Sequence, residues 1–293
     1  INIATCLRPL GKDAEALGNY HKAFDLDPTA LTGLYVNNEY GFLLVKMGKI
    51  QEARQAFEKM AELNDSGKKA RGYRSLGLLD MYQGKYSSAQ GHFEEAVVLN
   101  KALKYGLSEL RDHLYLAAIS KQKGSKDRFE KEMAAVGRIQ KEIKIEPYFL
   151  SLVGIAYARA GRIKEAALQL KEMEARLGDL LAASGVIRSN QTDQAAFHLL
   201  KGEIELTQRK YEEAINSFLM AARLGRSGVE ENLAYAYLKK GDWDKAIEKY
   251  TEFLKSEPLG YEPQESWVLA HYELGKLYQQ EGQAEEARKY FGR

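Results

Sequence analysis

The fold is decided by one stretch of sequence, residues 241–258, which reads GDWDKAIEKYTEFLKSEP. It opens with Gly241, places Ala246 five positions later and puts Tyr250 four positions beyond that alanine. A glycine at this point supplies the positive φ that ends a preceding helix. Residues four apart share a helical face, so Ala246 and Tyr250 lie one turn apart on one side of the next helix. The stretch predicts a helix, a tight turn and a second, antiparallel helix.

The same pattern recurs in seven clear copies along the chain. Their turn positions are Gly11, Gly48, Gly84, Gly161, Arg209, Gly241 and Gly282. Most copies also carry a small residue seven positions upstream of the turn, where a larger side chain would hold two helices apart. These small residues are Gly41, Gly77, Gly154, Gly202, Ala234 and Gly275. An eighth, degenerate copy is predicted around Gly124, with Phe129 in place of the alanine and helices over roughly residues 107–140.

This arrangement resembles the tetratricopeptide repeat family, whose unit of about 34 residues has small and aromatic residues at these offsets. The resemblance covers nearly the whole chain. It implies an all-α fold, a right-handed superhelical solenoid of about eight antiparallel helix-turn-helix repeats. A single repeat cannot bury its own apolar stripe, so the stability of such an array comes from the stacking of neighbours.

The spacing of the turns is irregular, and its longest step separates Gly161 from Arg209. It predicts a long second helix through about Ala183, then a loop over residues 184–193 in which Asp193 caps the next helix. We therefore expect two arrays, residues 1–184 with about five repeats and residues 185–293 with about three. A second loop is predicted at residues 259–263. Both terminal repeats look truncated, which suggests that the chain is part of a longer polypeptide.

Composition excludes several classes of protein. The chain has one cysteine, Cys6, five prolines and a net charge of +2. One cysteine can form neither an internal disulfide nor a metal cage by itself. A nucleic-acid-binding domain usually carries a strongly basic stripe, so no nucleic-acid partner is expected. No apolar run reaches the ~20 residues that cross a bilayer, so no membrane insertion is expected either. The location stays open between the cytoplasm and the soluble part of a membrane-associated protein.

The five histidines invite a search for metal or acid-base sites. His113, His198 and His271 all occupy one repeat position, four residues before the small residue of the first helix, where the family usually has a large aromatic. We interpret them as structural residues, and their separate repeats keep them too far apart to share a metal. No glycine-rich phosphate loop or nucleophile motif is found. The sequence predicts no catalytic residue, metal or cofactor, and therefore no enzyme.

Residues 67–144 form a basic region, with sixteen Lys and Arg against nine Asp and Glu. This basic region forms either ordinary solvated helix faces or a patch that binds an acidic peptide. The family resemblance implies that certain first-helix positions line a concave groove. The peptide-binding candidates at such positions are Tyr35, Asn38, Arg71, Arg74, Arg111, Tyr148, Asn232 and Tyr235. The clamp with which some relatives grip a carboxylate is missing, since its positions hold Glu39, Ser75 and Leu152. The asparagine ladder of other relatives is reduced to Asn232.

These observations favour a non-catalytic scaffold that binds a peptide or helix of a partner protein, with an acidic peptide as one candidate. A second hypothesis is the sensory or regulatory region of a larger bacterial signalling protein, a kinase or a transcription regulator. It depends on residues 266–278, SWVLAHYELGKLY, which look like repeats of such proteins. A third is an appendage of a glycosyltransferase or a secretion channel. Fold alone does not decide among them.

Overall fold

The described part of the chain is built from helices, without a strand. A computed structural model describes residues 1–183, 187–255, 259–260 and 264–292. Its α-helices are α1 (Asn2–Leu7), α2 (Asp13–Leu26), α3 (Leu34–Lys46), α4 (Ile50–Ala61), α5 (Ser66–Tyr82), α6 (Tyr86–Ala102), α7 (Gly106–Gln122), α8 (Lys126–Glu142), α9 (Pro147–Arg159), α10 (Ile163–Ala183), α11 (Ile187–Thr207), α12 (Tyr211–Arg223), α13 (Glu230–Lys240), α14 (Trp243–Lys255), α15 (Glu265–Gln280) and α16 (Ala284–Phe291). In the described residues these sixteen helices follow one another through short connections, which confirms the predicted all-α repeat fold.

The turns within the pairs depend on left-handed backbone. Gly48 and Gly241, for example, have φ of 75° and 90°. Arg209 has φ 64° at the equivalent turn, so an arginine adopts a conformation that glycine takes most easily. The predicted turn positions are confirmed, including the one without a glycine.

Close approach of the helices explains the small residues. A Cβ atom on Gly41 would lie 2.2 Å from the ring of Phe57, and one on Gly202 would lie 2.5 Å from the ring of Phe218. The fifth pair differs, because the neighbour of Gly154 is Leu200 of α11, at 2.6 Å from the same hypothetical atom. There the first helix of the following repeat fills the space that the aromatic ring occupies elsewhere.

The predicted degenerate repeat is present as α7 and α8. The turn between them has Gly124 at φ 68°. Phe129, which replaces the expected alanine, is buried. The structure thus accommodates a large side chain at a position that is small in the other repeats.

The chain forms two compact units. Unit 1 contains Ile1–Gln122 and Glu257–Val268, and unit 2 contains Lys123–Ser256 and Leu269–Arg293. The core of unit 1 includes the fully buried side chains of Leu43, Phe57, Leu79, Phe93 and Leu259. The cores of unit 2 include those of Phe218, Ala221, Ala246, Ala270 and Leu274.

The predicted array boundary at residue 184 lies outside the described residues. Residues 261–263 of the second predicted loop lie outside them as well. The long helix before the boundary is confirmed, since α10 ends at Ala183. The loop up to residue 193 is wrong, because α11 already begins at Ile187 and Asp193 lies inside it. The segment is polar, but it contains no proline or glycine from Ile187 to Asp193, and nothing in it stops a helix.

None of the helices in the described residues is long and apolar enough to cross a membrane.

Candidate functional site

In unit 1 two of the predicted groove residues meet at the start of neighbouring first helices. Tyr35 of α3 is 72% exposed. The guanidinium carbon of Arg71, on α5, lies 5.2 Å from the centroid of the Tyr35 ring. Nη1 of Arg71 also donates to the carbonyl oxygen of Leu34 at 3.0 Å. The contact between cation and ring holds an aromatic surface and a positive charge side by side.

Asn38 holds the Arg71 side chain of this pair by a hydrogen bond. It is buried, and its Oδ1 accepts a hydrogen bond from Arg71 Nη1 at 3.4 Å. Its Nδ2 donates to Ser75 Oγ at 2.6 Å, and Ser75 Oγ donates to the backbone oxygen of Arg71 at 3.0 Å. The three residues therefore form a closed ring of hydrogen bonds between α3 and α5. Its burial removes Asn38 from the predicted ligand surface and makes it a support for Arg71.

Arg74 is also withdrawn from that surface. It is 6% exposed and holds Asp112 of α7 with two hydrogen bonds, Nε to Oδ1 at 2.5 Å and Nη2 to Oδ2 at 2.9 Å. Asn100 donates to Oδ2 of the same carboxylate at 2.8 Å. Burial lowers the pKa of Arg74, but the charge and hydrogen bonds of Asp112 raise it more, so the Arg74 guanidinium stays protonated. Arg74 joins two repeats and offers no surface to a ligand.

Arg111 precedes Asp112 on α7 and is half-buried. Of the five candidates in unit 1, Tyr35, Arg71 and Arg111 therefore keep accessible surface. They lie on α3, α5 and α7, the first helices of three successive repeats. An exposed ring and two guanidinium groups can stack against a peptide and pair with carboxylates.

Unit 2 repeats the combination of tyrosine and cation. Tyr148 of α9 is half-buried, with the guanidinium carbon of Arg226 5.7 Å from its ring centroid. Tyr235 of α13 is 36% exposed, and Lys239 Nζ lies 4.9 Å from its ring. Asn232, in contrast, is buried and donates to Glu203 Oε1 at 2.6 Å. Asn232 thus links α13 to α11 and does not belong to an open surface.

Sequence reasoning missed an exposed tyrosine of this kind. Tyr272 of α15 is exposed, and Lys276 Nζ lies 5.2 Å from its ring. The signal was available, because Tyr235 and Lys239 are four residues apart, and so are Tyr272 and Lys276. Side chains at that spacing meet on one helical face.

A further charged cluster surrounds a buried carboxylate, Asp80 of α5. Arg54 donates to its Oδ1, while Ser88 and the Nδ1 side of His92 contact its Oδ2, the latter at 3.0 Å. Burial raises the pKa of Asp80, but the hydrogen bonds from His92, Ser88 and Arg54 lower it more, to about 2. The cluster ties α4, α5 and α6 together and has a structural role.

The three histidines at the shared repeat position lie on separate helices, α7, α11 and α15. His113 is buried, with Nε2 3.8 Å from Glu109 Oε1. Burial lowers the pKa of His198, which favours the neutral ring. Among the described residues, no three His, Cys, Asp or Glu side chains are grouped so that they could hold a metal ion.

Comparisons with known proteins bear on the family and the fold. Residues 34–66 and residues 232–293 each match a family model described as tetratricopeptide repeat. No curated protein sequence matches the chain significantly. The human IFIT1 dimer with m7Gppp-AAAA has a similar fold, with a TM-score of 0.52 and 18% identity over 99% of this chain and 66% of that one.

Two further solved structures are similar. NprR in complex with its cognate peptide NprX gives a TM-score of 0.53 with 15% identity, over 87% of this chain and 76% of that one. The APC/C hetero-tetramer Cut9-Hcn1 gives 0.50 with 16% identity, over 95% of this chain. This chain spans 48% of the length of that matched chain. At these identities the similarity shows the fold alone.

Proteins with such repeats are in general non-catalytic scaffolds for protein interaction. Helices continue between the two family matches, and the small residues and turns recur at the expected offsets. Residues 34–66 and 232–293 are tetratricopeptide repeats, and the helices between them continue the same fold.

Proposed function

We propose that unit 1 binds an extended, acidic peptide of a partner protein along Tyr35, Arg71 and Arg111. The observation that carries the proposal is the contact between Tyr35 and Arg71, which places exposed aromatic area next to a fixed guanidinium group. An aromatic side chain buries much area against a peptide, and a guanidinium group pairs with a carboxylate through two hydrogen bonds.

Preorganisation supports this assignment. Arg71 is held by Leu34, by Asn38 and by the Tyr35 ring, so little side-chain freedom is lost when a ligand binds. Charge supports it too, because residues 67–122 of unit 1 carry nine Lys and Arg against five Asp and Glu. A basic surface attracts acidic segments at long range and accelerates encounter. NprR, a protein of similar fold, is a precedent for peptide binding.

The test is a peptide array in which extended peptides differ only in their number of Asp and Glu residues. We expect the chain to favour acidic peptides and Arg71→Glu/Arg111→Glu to lose at least about tenfold in affinity, since charge pairs at interfaces contribute ~1.4 kcal/mol or more. The matched control is Lys22→Glu/Lys59→Glu, which makes the same charge change at exposed positions of α2 and α4. Equal losses in both variants would show that net charge, and not this face, selects the peptide.

The second hypothesis from the sequence, a sensory or regulatory region of a bacterial kinase or transcription regulator, is compatible with the same face. The bound peptide would then be the signal. A kinase or winged-helix domain in the same polypeptide would support this role.

A further inference from the structure

Four lysines of unit 1 gather at one end of the third helix pair. Lys68 and Lys69 belong to the first turn of α5, and Lys101 and Lys104 lie at the end of α6. The two helices are antiparallel, so the start of one lies beside the end of the other. Direct contact confirms this, because a Cβ atom on Gly67 would lie 3.6 Å from Cε2 of Tyr105. We call these four residues the lysine surface.

The lysine surface is rich in charge that the protein itself does not neutralise. Within the described residues none of its four ammonium groups is engaged in a salt bridge, whereas Lys46 of the same unit pairs with Asp13 at 3.0 Å. The nearby Asp65 is occupied as the cap of α5, accepting from the backbone nitrogen of Lys68 at 2.9 Å. Glu109, on the adjoining α7, is buried. Lys101 and Lys104 are exposed to solvent, and Lys68 and Lys69 are half-buried.

Apolar side chains are exposed among these lysines. Val98 is 64% exposed and Tyr105 is 53% exposed, and Leu107 is also exposed. They come from the last turns of α6, from the α6–α7 turn and from the start of α7. They flank the α6–α7 turn. This combination of aliphatic, aromatic and lysine side chains suits an interface between water and hydrocarbon.

The backbone at Lys104 adds a further observation. Its φ is 57°, and the turn closes with hydrogen bonds from Lys104 N to Lys101 O at 3.1 Å and from Tyr105 N to Asn100 O at 2.9 Å. Glycine is the usual residue with positive φ at a helix end. Gly225, which follows α12, is an example with φ 87°. The Cβ atom of a lysine raises the free energy of this left-handed conformation. The chain thus carries a positive charge at a position where folding alone favours glycine.

We propose that the lysine surface binds the surface of an anionic lipid bilayer, with Tyr105, Leu107 and Val98 entering the headgroup layer. Lysine suits this partner because its ammonium group is a compact charge on a flexible stem, which can follow laterally mobile headgroups. An acidic protein segment would be matched better by guanidinium forks and a groove. The charges of the lysine surface are all ammonium groups.

Vesicle flotation of the whole chain tests the proposal. We expect binding to vesicles of phosphatidylcholine mixed with phosphatidylserine and none to phosphatidylcholine alone. Lys101→Glu/Lys104→Glu should weaken binding at least about twentyfold, because each charge near an anionic membrane contributes about a fivefold factor. Lys22→Glu/Lys59→Glu, with the same charge change elsewhere in unit 1, should stay within about threefold of the original chain.

A second pair of variants separates binding from folding. Lys104→Gly removes a charge and relieves the left-handed residue, so the chain should stay folded and lose about fivefold in vesicle affinity. Arg209→Gly removes a charge from a left-handed position in unit 2 and should leave the affinity unchanged. Tyr105→Ala should weaken binding without altering its dependence on phosphatidylserine.

Three results would overturn the proposal. One is a lack of binding to both kinds of vesicle, and another is an equal loss in the lysine-surface variant and its control. The third is binding to soluble poly-glutamate, lost in Lys101→Glu/Lys104→Glu, without binding to vesicles, which would make the lysine surface a docking site for an acidic protein.

Discussion

The ring of Phe57 lies over the Cα atom of Gly41, and it fills the space that a side chain on residue 41 would need. A Cβ atom there would be 2.2 Å from Cε1 of the ring, well inside van der Waals contact. Phe57 is fully buried and cannot rotate outward without leaving the core. We expect Gly41→Ala to lower the free energy of unfolding by about 1–3 kcal/mol through overpacking. Urea unfolding followed by circular dichroism measures the change.

The matched control is Gly91→Ala. Gly91 lies inside α6 and has no atom within 4 Å of a Cβ added to it. Alanine there should stabilise the chain by about 0.5–1 kcal/mol, because glycine loses more backbone freedom on folding. Gly41→Ala and Gly91→Ala should thus change the free energy of unfolding in opposite directions. The same sign for both would contradict the assignment of Gly41 as a helix contact.

Asp80 should make the free energy of unfolding of unit 1 depend on pH in the acidic range. The pKa of its carboxyl is lowered from 3.8 to about 2, so the folded state holds the ionised form more strongly than the unfolded state does. The resulting stability is present above about pH 4 and is lost as the pH falls toward about 2. Asp80→Asn should therefore cost about 2 kcal/mol at pH 7.

The measurement is the difference in unfolding free energy between the original chain and Asp80→Asn across pH 2–7. It should shrink as the pH falls below about 4. A difference that stays constant over this range would show that the carboxylate charge does not carry the effect.

The pair of Arg74 and Asp112 should show strong coupling. Both side chains are buried, and Arg74→Met would leave the buried carboxyl group of Asp112 without its main partner. We expect this variant to lose about 3–5 kcal/mol of stability. Arg74→Met/Asp112→Leu should lose less than the sum of the two single changes, because it removes both charges together.

A double-mutant cycle measures that coupling. The exposed pair of Lys49 and Glu52, with Nζ 2.8 Å from Oε1, is the control and should give at most about 0.5 kcal/mol. Additive effects of Arg74→Met and Asp112→Leu would refute a structural role for the ion pair.

The helices could be predicted because their signals are local. Gly241, Ala246 and Tyr250 specify a turn and a helical face within ten residues, and the other copies repeat the pattern. The one serious error, a loop up to Asp193, came from reading a polar run as irregular. Polarity alone does not stop a helix when proline and glycine are missing.

Burial at the candidate site could not be predicted in the same way. Repeat position placed Asn38, Arg74 and Asn232 on a ligand surface, but each meets a polar partner on a neighbouring first helix: Ser75, Asp112 and Glu203 respectively. Those partners stand 29 to 38 residues away in sequence. The sequence also could not predict that Leu259 belongs to unit 1, because the core that it joins is formed mainly by residues before 120.

Lys104 and Arg209 should each gain stability when they are replaced by glycine. Both have positive φ, at 57° and 64°, and a left-handed residue with a Cβ atom costs roughly 1 kcal/mol relative to glycine. Glycine also increases the freedom of the unfolded chain, which offsets part of this gain. We expect each variant to be more stable by about 0.5–1 kcal/mol in urea unfolding. Lys104→Ala and Arg209→Ala are the controls, because they remove the same charge and keep the Cβ atom. If the alanine variants gain as much as the glycine variants, charge repulsion and not backbone conformation is the source of the cost.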